Sequence, residues 1–183
     1  MKLSPQAKLV LLGGLFLLPI VASTIAYLTV KPSATANYGE LLSPGPVPVA
    51  PLLRPDARDF GFGELLGKWV LVSVDGAVCR PACVNKLVAM RQVRLAMGRN
   101  ASRLERVMVV DDGKLLPEMA LAFPGMVVAS VPAGWKLTGF LRDHDHIYLI
   151  DPHGNVMMRW PADPDGKRMI KDLERLLRAS QIG

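Results

Sequence analysis

The sequence predicts an α/β domain, a βαβ unit followed by a β-hairpin and a C-terminal helix, preceded by one transmembrane helix. Three observations predict it. A charge-free apolar run fills residues 9–30; Cys79 and Cys83 stand between an apolar, β-rich run and a helical stretch; and the C-terminal segment carries apolar residues at helical spacing.

Half of the 183 residues are hydrophobic, but that figure joins two populations. The start is nearly uncharged, whereas residues 59–183, about 125 in number, have the composition of a soluble domain able to bury one core. The net charge is +6, with Lys86, Arg91, Arg94, Arg99, Arg103 and Arg106 in the middle of the chain. No aromatic residues interleave with them and no nucleic-acid module is recognisable, so DNA and RNA are set aside as partners. A basic surface suits an anionic bilayer, an acidic partner or plain solvation.

Residues 1–8 are expected on the cytoplasmic side. The run from Leu9 to Val30 is long enough to span a hydrocarbon core of about 30 Å. Pro19 and Gly13-Gly14 are tolerated in such helices. Lys2 and Lys8 precede it, and after Lys31 no basic residue appears until Arg54, which places the following domain on the far side of the membrane. Ala34-Thr35-Ala36 resembles a signal-peptide cleavage site, yet the apolar core exceeds the roughly 7–15 residues of a signal. An anchor is therefore the preferred reading. The lack of an Arg-rich amphipathic leader favours a bacterial inner membrane, with the domain in the periplasm. Residues 31–58, with Pro44, Pro46, Pro48, Pro51 and Pro55, read as an extended spacer.

Within residues 59–183, Gly67 to Val74 reads as a buried strand. The two cysteines follow, and Val84 to Met97 reads as a helix with Pro81 in its first turn. Arg106 to Val110 is a second, parallel strand, ended by Asp111-Asp112-Gly113. Leu115 to Phe123 reads as a short helix. His146–Ile150 and Val156–Trp160 form a hairpin about Asp151–Asn155. Met169, Ile170, Leu173, Leu176 and Leu177 line one face of the last helix, with Asp163 or Asp165 as its cap. This order of elements is that of the thioredoxin fold.

A bridge closing so short a loop adds little stability, so the value of the cysteines is chemical. At a helix start they stand at i and i+4, where the helix N-terminus favours thiolate. Thiolate is the nucleophile of disulfide exchange and a soft ligand for Cu(I). An imidazole would complete a three-coordinate copper site. Strand alternation would put His144 and His146 on one face, so either can be the third ligand. His153 falls in the hairpin turn and reads as solvated. Zinc is disfavoured because a structural site wants four ligands. Asn100-Ala101-Ser102 matches a glycosylation sequon that helix termination explains equally well.

These residues resemble the Sco/SenC family of cytochrome c oxidase assembly proteins over about residues 60–182. The resemblance lies in Leu66–Leu71, the Cys79/Cys83 pair, Asp143-His144, and Tyr148-Leu149-Ile150-Asp151-Pro152 with Gly154. The chain differs in carrying Val84 where the family has proline, and Asp75–Val78 in place of an aromatic-rich approach to the first cysteine. The resemblance implies copper bound by Cys79, Cys83 and His144, with His146 as runner-up. It also implies delivery to the copper-bearing subunit of the oxidase, or work with other respiratory assembly factors. Thiol–disulfide exchange on partner cysteines, with Cys79 and Cys83 as catalytic pair, is the alternative. A scaffold without chemistry is the third.

Overall fold

The computed structural model describes residues 4–29, 37–113, 117–132, 134–180 and 182. It separates into two units, residues 1–36 and 37–183. The first unit is helix α1, Pro5–Thr29, opened by a proline and carrying Pro19 inside. Its 25 residues extend about 37 Å, and an 18-residue window has mean hydropathy 2.4, so it is long and apolar enough to cross a membrane. The Ala34-Thr35-Ala36 cleavage-like site and Val30 lie outside the described residues.

The second unit contains β1 (Glu40–Pro46), β2 (Leu52–Leu53), β3 (Asp59–Phe60), β4 (Trp69–Asp75), α2 (Pro81–Ala96) and β5 (Leu104–Val110). Then follow α3 (Pro117–Ala122), β6 (Val127–Ser130), β7 (His146–Ile150), β8 (Asn155–Pro161) and α4 (Gly166–Ala179). The strands form one sheet in the order β1-β8-β7-β4-β5-β6-β2-β3. β4, β5 and β6 run parallel, and β7, β8 and β1 continue the sheet antiparallel.

Every residue of β4 is buried, because side chains fill both faces of this central strand. On one face, Leu71 and Met108 pack with Leu87, Met90 and Val93 of α2 and Met169, Leu173 and Leu177 of α4. On the other, Val72, Val74, Val107 and Val109 meet Leu52, Phe60, Leu137 and Leu141. The expected βαβ unit, hairpin and terminal helix are all present. Between the two candidates for the last helix cap, Asp165 serves: its carboxylate accepts from the Arg168 N–H at 3.1 Å. The short helix expected from Leu115 spans Pro117–Ala122, and residues 114–116 lie outside the described residues.

The region read as a spacer differs from expectation. Residues 40–46 are a strand, paired with β8 through Glu40↔Arg159, Leu41↔Met158 and Gly45↔Val156. Pro44 and Pro46 are accommodated because β1 is an edge strand with a shift in register between Leu41 and Gly45, where missing N–H donors do no harm. Leu52 then pairs with Phe60 at the opposite edge. The prolines therefore select an edge position rather than chain clear of the domain.

Candidate functional site

The site is built where β4 hands over to α2. β4 ends at Asp75, and α2 begins with Pro81 at its first position, where the missing N–H leaves no bond unmade. Arg80 stands before it in extended conformation, and the Val84 N–H donates to the Arg80 carbonyl at 3.0 Å. Cys79 and Cys83 thus flank the helix start, with Cα atoms 5.2 Å apart, and are joined in a disulfide. Cys83 is buried at 1% exposure, whereas Cys79 is half-buried. Once reduced, the pair stands at the N-terminus of α2, an environment that favours thiolate. Cys79 is the more exposed of the two residues.

An open cleft of about 560 Å³ lies beside the pair, lined by Val78, Arg80, Cys83, Asp112, His144 and Asp145 among others. His144 is thus brought to the cleft. Its Nε2 stands 2.7 Å from an Asp111 carboxylate oxygen, on the loop that ends β5. His146 is not among the lining residues. It opens β7, its Nδ1 is 2.7 Å from Asp143 Oδ2, and its ring meets Tyr148 edge-on. His144 precedes the strand, so the alternation that would have set both imidazoles on one face does not apply to it. His153 is exposed in the hairpin turn, where its N–H donates to Asp151.

Beneath the cleft is a residue the sequence reading missed. Lys86 is fully buried, and its ammonium is 2.9 Å from Asp75 Oδ2. It also donates to the Val74 carbonyl at 3.1 Å and to the His144 carbonyl at 2.6 Å. Ser73 donates to the same Asp75 oxygen at 2.8 Å. One side chain of α2 thus joins the end of β4 to the His144 segment. Lys86 had been counted among surface charges, but it lies inside the apolar stripe Cys83, Leu87, Met90, Val93, and that spacing is the signal that could have found it.

Asp143 fixes the other side of the segment. It accepts from the Tyr148 hydroxyl, pairs with His146 and accepts from the Asp145 N–H at 2.7 Å. Burial alone would push its carboxyl up, but these hydrogen bonds together outweigh burial and hold it below the usual carboxylate range. Burial and the Asp143 hydrogen bond push the Tyr148 phenol up to about 12. A depressed carboxyl contributes stability that is complete above its unfolded value and lost as pH falls through the folded one. Asp143→Asn is therefore expected to cost about 2 kcal/mol near neutrality and to flatten the decline of stability below about pH 5. Urea midpoints measured across that range check both.

As the side chains stand, no group of three or more His, Cys, Asp or Glu among the described residues is arranged to hold a metal ion. The donors that fit a soft cation are the two sulfurs, once reduced, and the His144 ring, once it leaves Asp111. Two thiolates and an imidazole suit Cu(I) better than a hard cation.

The family described as "transmembrane-like, thioredoxin-like, C-terminal domain" matches residues 69–180, from β4 through α4. The chain belongs to this family. No curated protein matches the sequence significantly. Solved structures of Sco proteins share the fold of this thioredoxin-like domain. Arabidopsis thaliana ScoI with copper bound superposes with a TM-score of 0.63 at 16% identity, covering 75% of this chain and 98% of that one. A SCO1/SenC family lipoprotein from Bacillus anthracis gives 0.58 at 20% identity over 75% and 99%. BsSco, a Sco family cytochrome c oxidase assembly protein in which a disulfide switch was identified, gives 0.54 at 11% identity over 80% and 99%. The Sco-like, thioredoxin-like fold expected from the sequence is thus present.

Proposed function

We propose that the protein is a membrane-anchored copper-binding factor for assembly of a respiratory cytochrome c oxidase, with copper as cargo rather than resident cofactor. Cys79, Cys83 and His144 would hold it. The observation that carries the reading is the disulfide-linked pair at the start of α2, whose Cys83 lines a cleft that His144 also lines. The likeness to a copper-bound Sco structure and to an oxidase assembly protein supports it. Helix α1 would anchor the chain in a bacterial inner membrane, N-terminus in the cytoplasm and domain in the periplasm. The oxidase's copper-bearing subunit is the proposed partner.

The test is Cu(I) titration of the reduced full chain in detergent against a competing chelator. One copper is expected per chain, lost in Cys79→Ser or Cys83→Ser, held about tenfold more weakly in His144→Ala, and unchanged in His146→Ala. Equal retention by a double Cys→Ser variant would sink the copper reading.

A second reading, thiol–disulfide exchange on a partner's cysteines, has its own observation: the pair is already a disulfide. In it, a partner thiolate attacks the sulfur of Cys79, the more exposed residue, and releases Cys83 as thiolate. A second partner thiol then resolves the mixed disulfide, leaving both cysteines of the domain reduced and the partner oxidised; the reverse sequence reduces the partner. This reading predicts a defined reduction potential that His144→Ala leaves in place.

A further inference from the structure

At the other end of α2, three guanidinium groups converge on one small cavity. It measures about 180 Å³ and is lined by Arg91, Arg94, Leu95, Arg106 and Pro124. Cys83 and Arg94 lie eleven residues apart on α2, roughly 16 Å, so this cavity is separate from the cleft beside the cysteines.

Arg106 is the anomaly. It sits in β5 on the face covered by α2, with Leu104 and Met108, and is 3% exposed. Its Nη2 donates to the Pro124 carbonyl at 2.7 Å. Its Nε and Nη1 are buried with no hydrogen-bond partner. Glu105, the acid adjacent in sequence, alternates to the opposite face of the sheet. Burial first, then the neighbouring Arg94 and Arg91, push the Arg106 guanidinium below its ordinary pKa, and the Glu105 charge offsets them only in part. A buried cation that shares its cavity with two other cations is strongly disfavoured unless an anion joins it.

The surrounding groups are placed to supply that anion's other contacts. Arg94 spends its Nε on the Leu104 carbonyl at 2.7 Å, which fixes the stem of a side chain that lines the cavity. Arg91 lies one helical turn earlier on the same side of α2. Its side chain is exposed, so it guards the mouth. Attraction of Arg94 to the helix C-terminus accounts for one of the three cations, but not for the unpaired donors of Arg106.

We propose that this cavity is a binding site for a phosphate-type oxyanion, with Arg106 at its floor and Arg94 and Arg91 at its mouth. Three guanidiniums match a group with three or more acceptor oxygens better than they match a monovalent carboxylate. Since water occupies about 30 Å³ per molecule, the space admits such a group. The phosphate can be free or part of a lipid headgroup.

The experiment uses the full chain in non-ionic detergent, with inorganic phosphate titrated against chloride at matched ionic strength. Binding is read by thermal shift and calorimetry. Phosphate is expected to raise Tm beyond chloride. Arg91→Gln should weaken phosphate about tenfold, while Arg99→Gln, a nearby cation outside the cavity, should leave it unchanged. Arg106→Met should abolish binding; if that variant does not fold, the Arg91/Arg99 contrast still decides. A parallel titration with short-chain phosphatidylglycerol against phosphatidylcholine assigns the source: tighter binding of the former means a lipid headgroup, and no gain over inorganic phosphate means a free anion. Phosphate and chloride acting alike, or Arg91→Gln and Arg99→Gln losing affinity equally, overturns the proposal.

Discussion

Lys86→Met is expected to destabilise the domain by about 3–5 kcal/mol, a large effect for a change outside the cysteines. The side chain is fully buried, so its ammonium balances the Asp75 carboxylate away from water. Methionine fills most of the volume, which confines the loss to the charge and its hydrogen bonds. Without the ammonium, Asp75 retains Ser73 as a donor but no countercharge, and the Val74 and His144 carbonyls each lose a partner. Pairing Lys86→Met with Asp75→Asn removes both charges, and the double variant should be less destabilised than the sum of the singles. Urea unfolding measures this. Hydrogen exchange at residues 143–145 should also quicken, because Lys86 is what ties the His144 carbonyl to α2. A single variant within about 1 kcal/mol of wild type, no more than an exposed ion pair contributes, would show that the buried pair is not holding this corner together.

That residue also marks where sequence reading stopped. The cysteine pair was legible because a strand, two cysteines and a helix in that order leave one placement for both sulfurs. The choice of histidine was not. His144 and His146 differ by two positions, and two positions mean a shared face only within a strand; β7 starts at His146, so His144 belongs to the bend before it. Lys86 counts among the basic residues of the solvated surface because charged residues usually lie there, and Arg106 counts there too although it opens the second buried strand. Each lies within an apolar pattern, Lys86 in the helical stripe with Cys83 and Leu87, Arg106 in the strand run that ends at Val110. A cation inside an apolar period is a burial signal, and here Lys86 is buried beneath the cleft while Arg106 lines a cavity of its own.

The βαβ unit, hairpin and terminal helix were legible because their periodicities are unambiguous and their turns carry Asp, Gly and Pro. The strand at residues 40–46 was not. Proline density reads as extended chain, and extended chain is a strand once an edge is available to receive it. Which edge is available is a property of the whole sheet. Gly39 offered a trace of it: a Cβ there would stand 2.5 Å from Trp160 Nε1 and 2.9 Å from Met158 Sδ, so the chain must pass β8 without a side chain.

The joint that fixes that strand yields the last large effect. Asp172, on α4, is 2% exposed and accepts three hydrogen bonds: from Tyr38 N–H at 3.1 Å, Gly39 N–H at 2.8 Å and Trp160 Nε1–H at 3.1 Å. The Tyr38 ring lies under the Arg168 guanidinium at 4.2 Å, and its hydroxyl accepts from the Asp165 N–H at 3.0 Å. One carboxylate therefore joins α4, β8 and the segment entering β1. Asp172→Ala leaves three donors unpaired, and at about 1–3 kcal/mol each the expected loss is about 4 kcal/mol. Asp172→Asn keeps one acceptor oxygen and should lose about half as much. Hydrogen exchange should localise the damage: amides of residues 38–46 open first in Asp172→Ala while those of β4 and β5 hold. Uniform loss of protection across the sheet would mean that β1 is an equal member of the core. Protection lost at the edge alone would mean that the proline-rich strand can detach from β8 once its buried anchor at Asp172 is gone, the β1–β8 ladder and the Glu40–Arg159 pair being too weak to hold it alone.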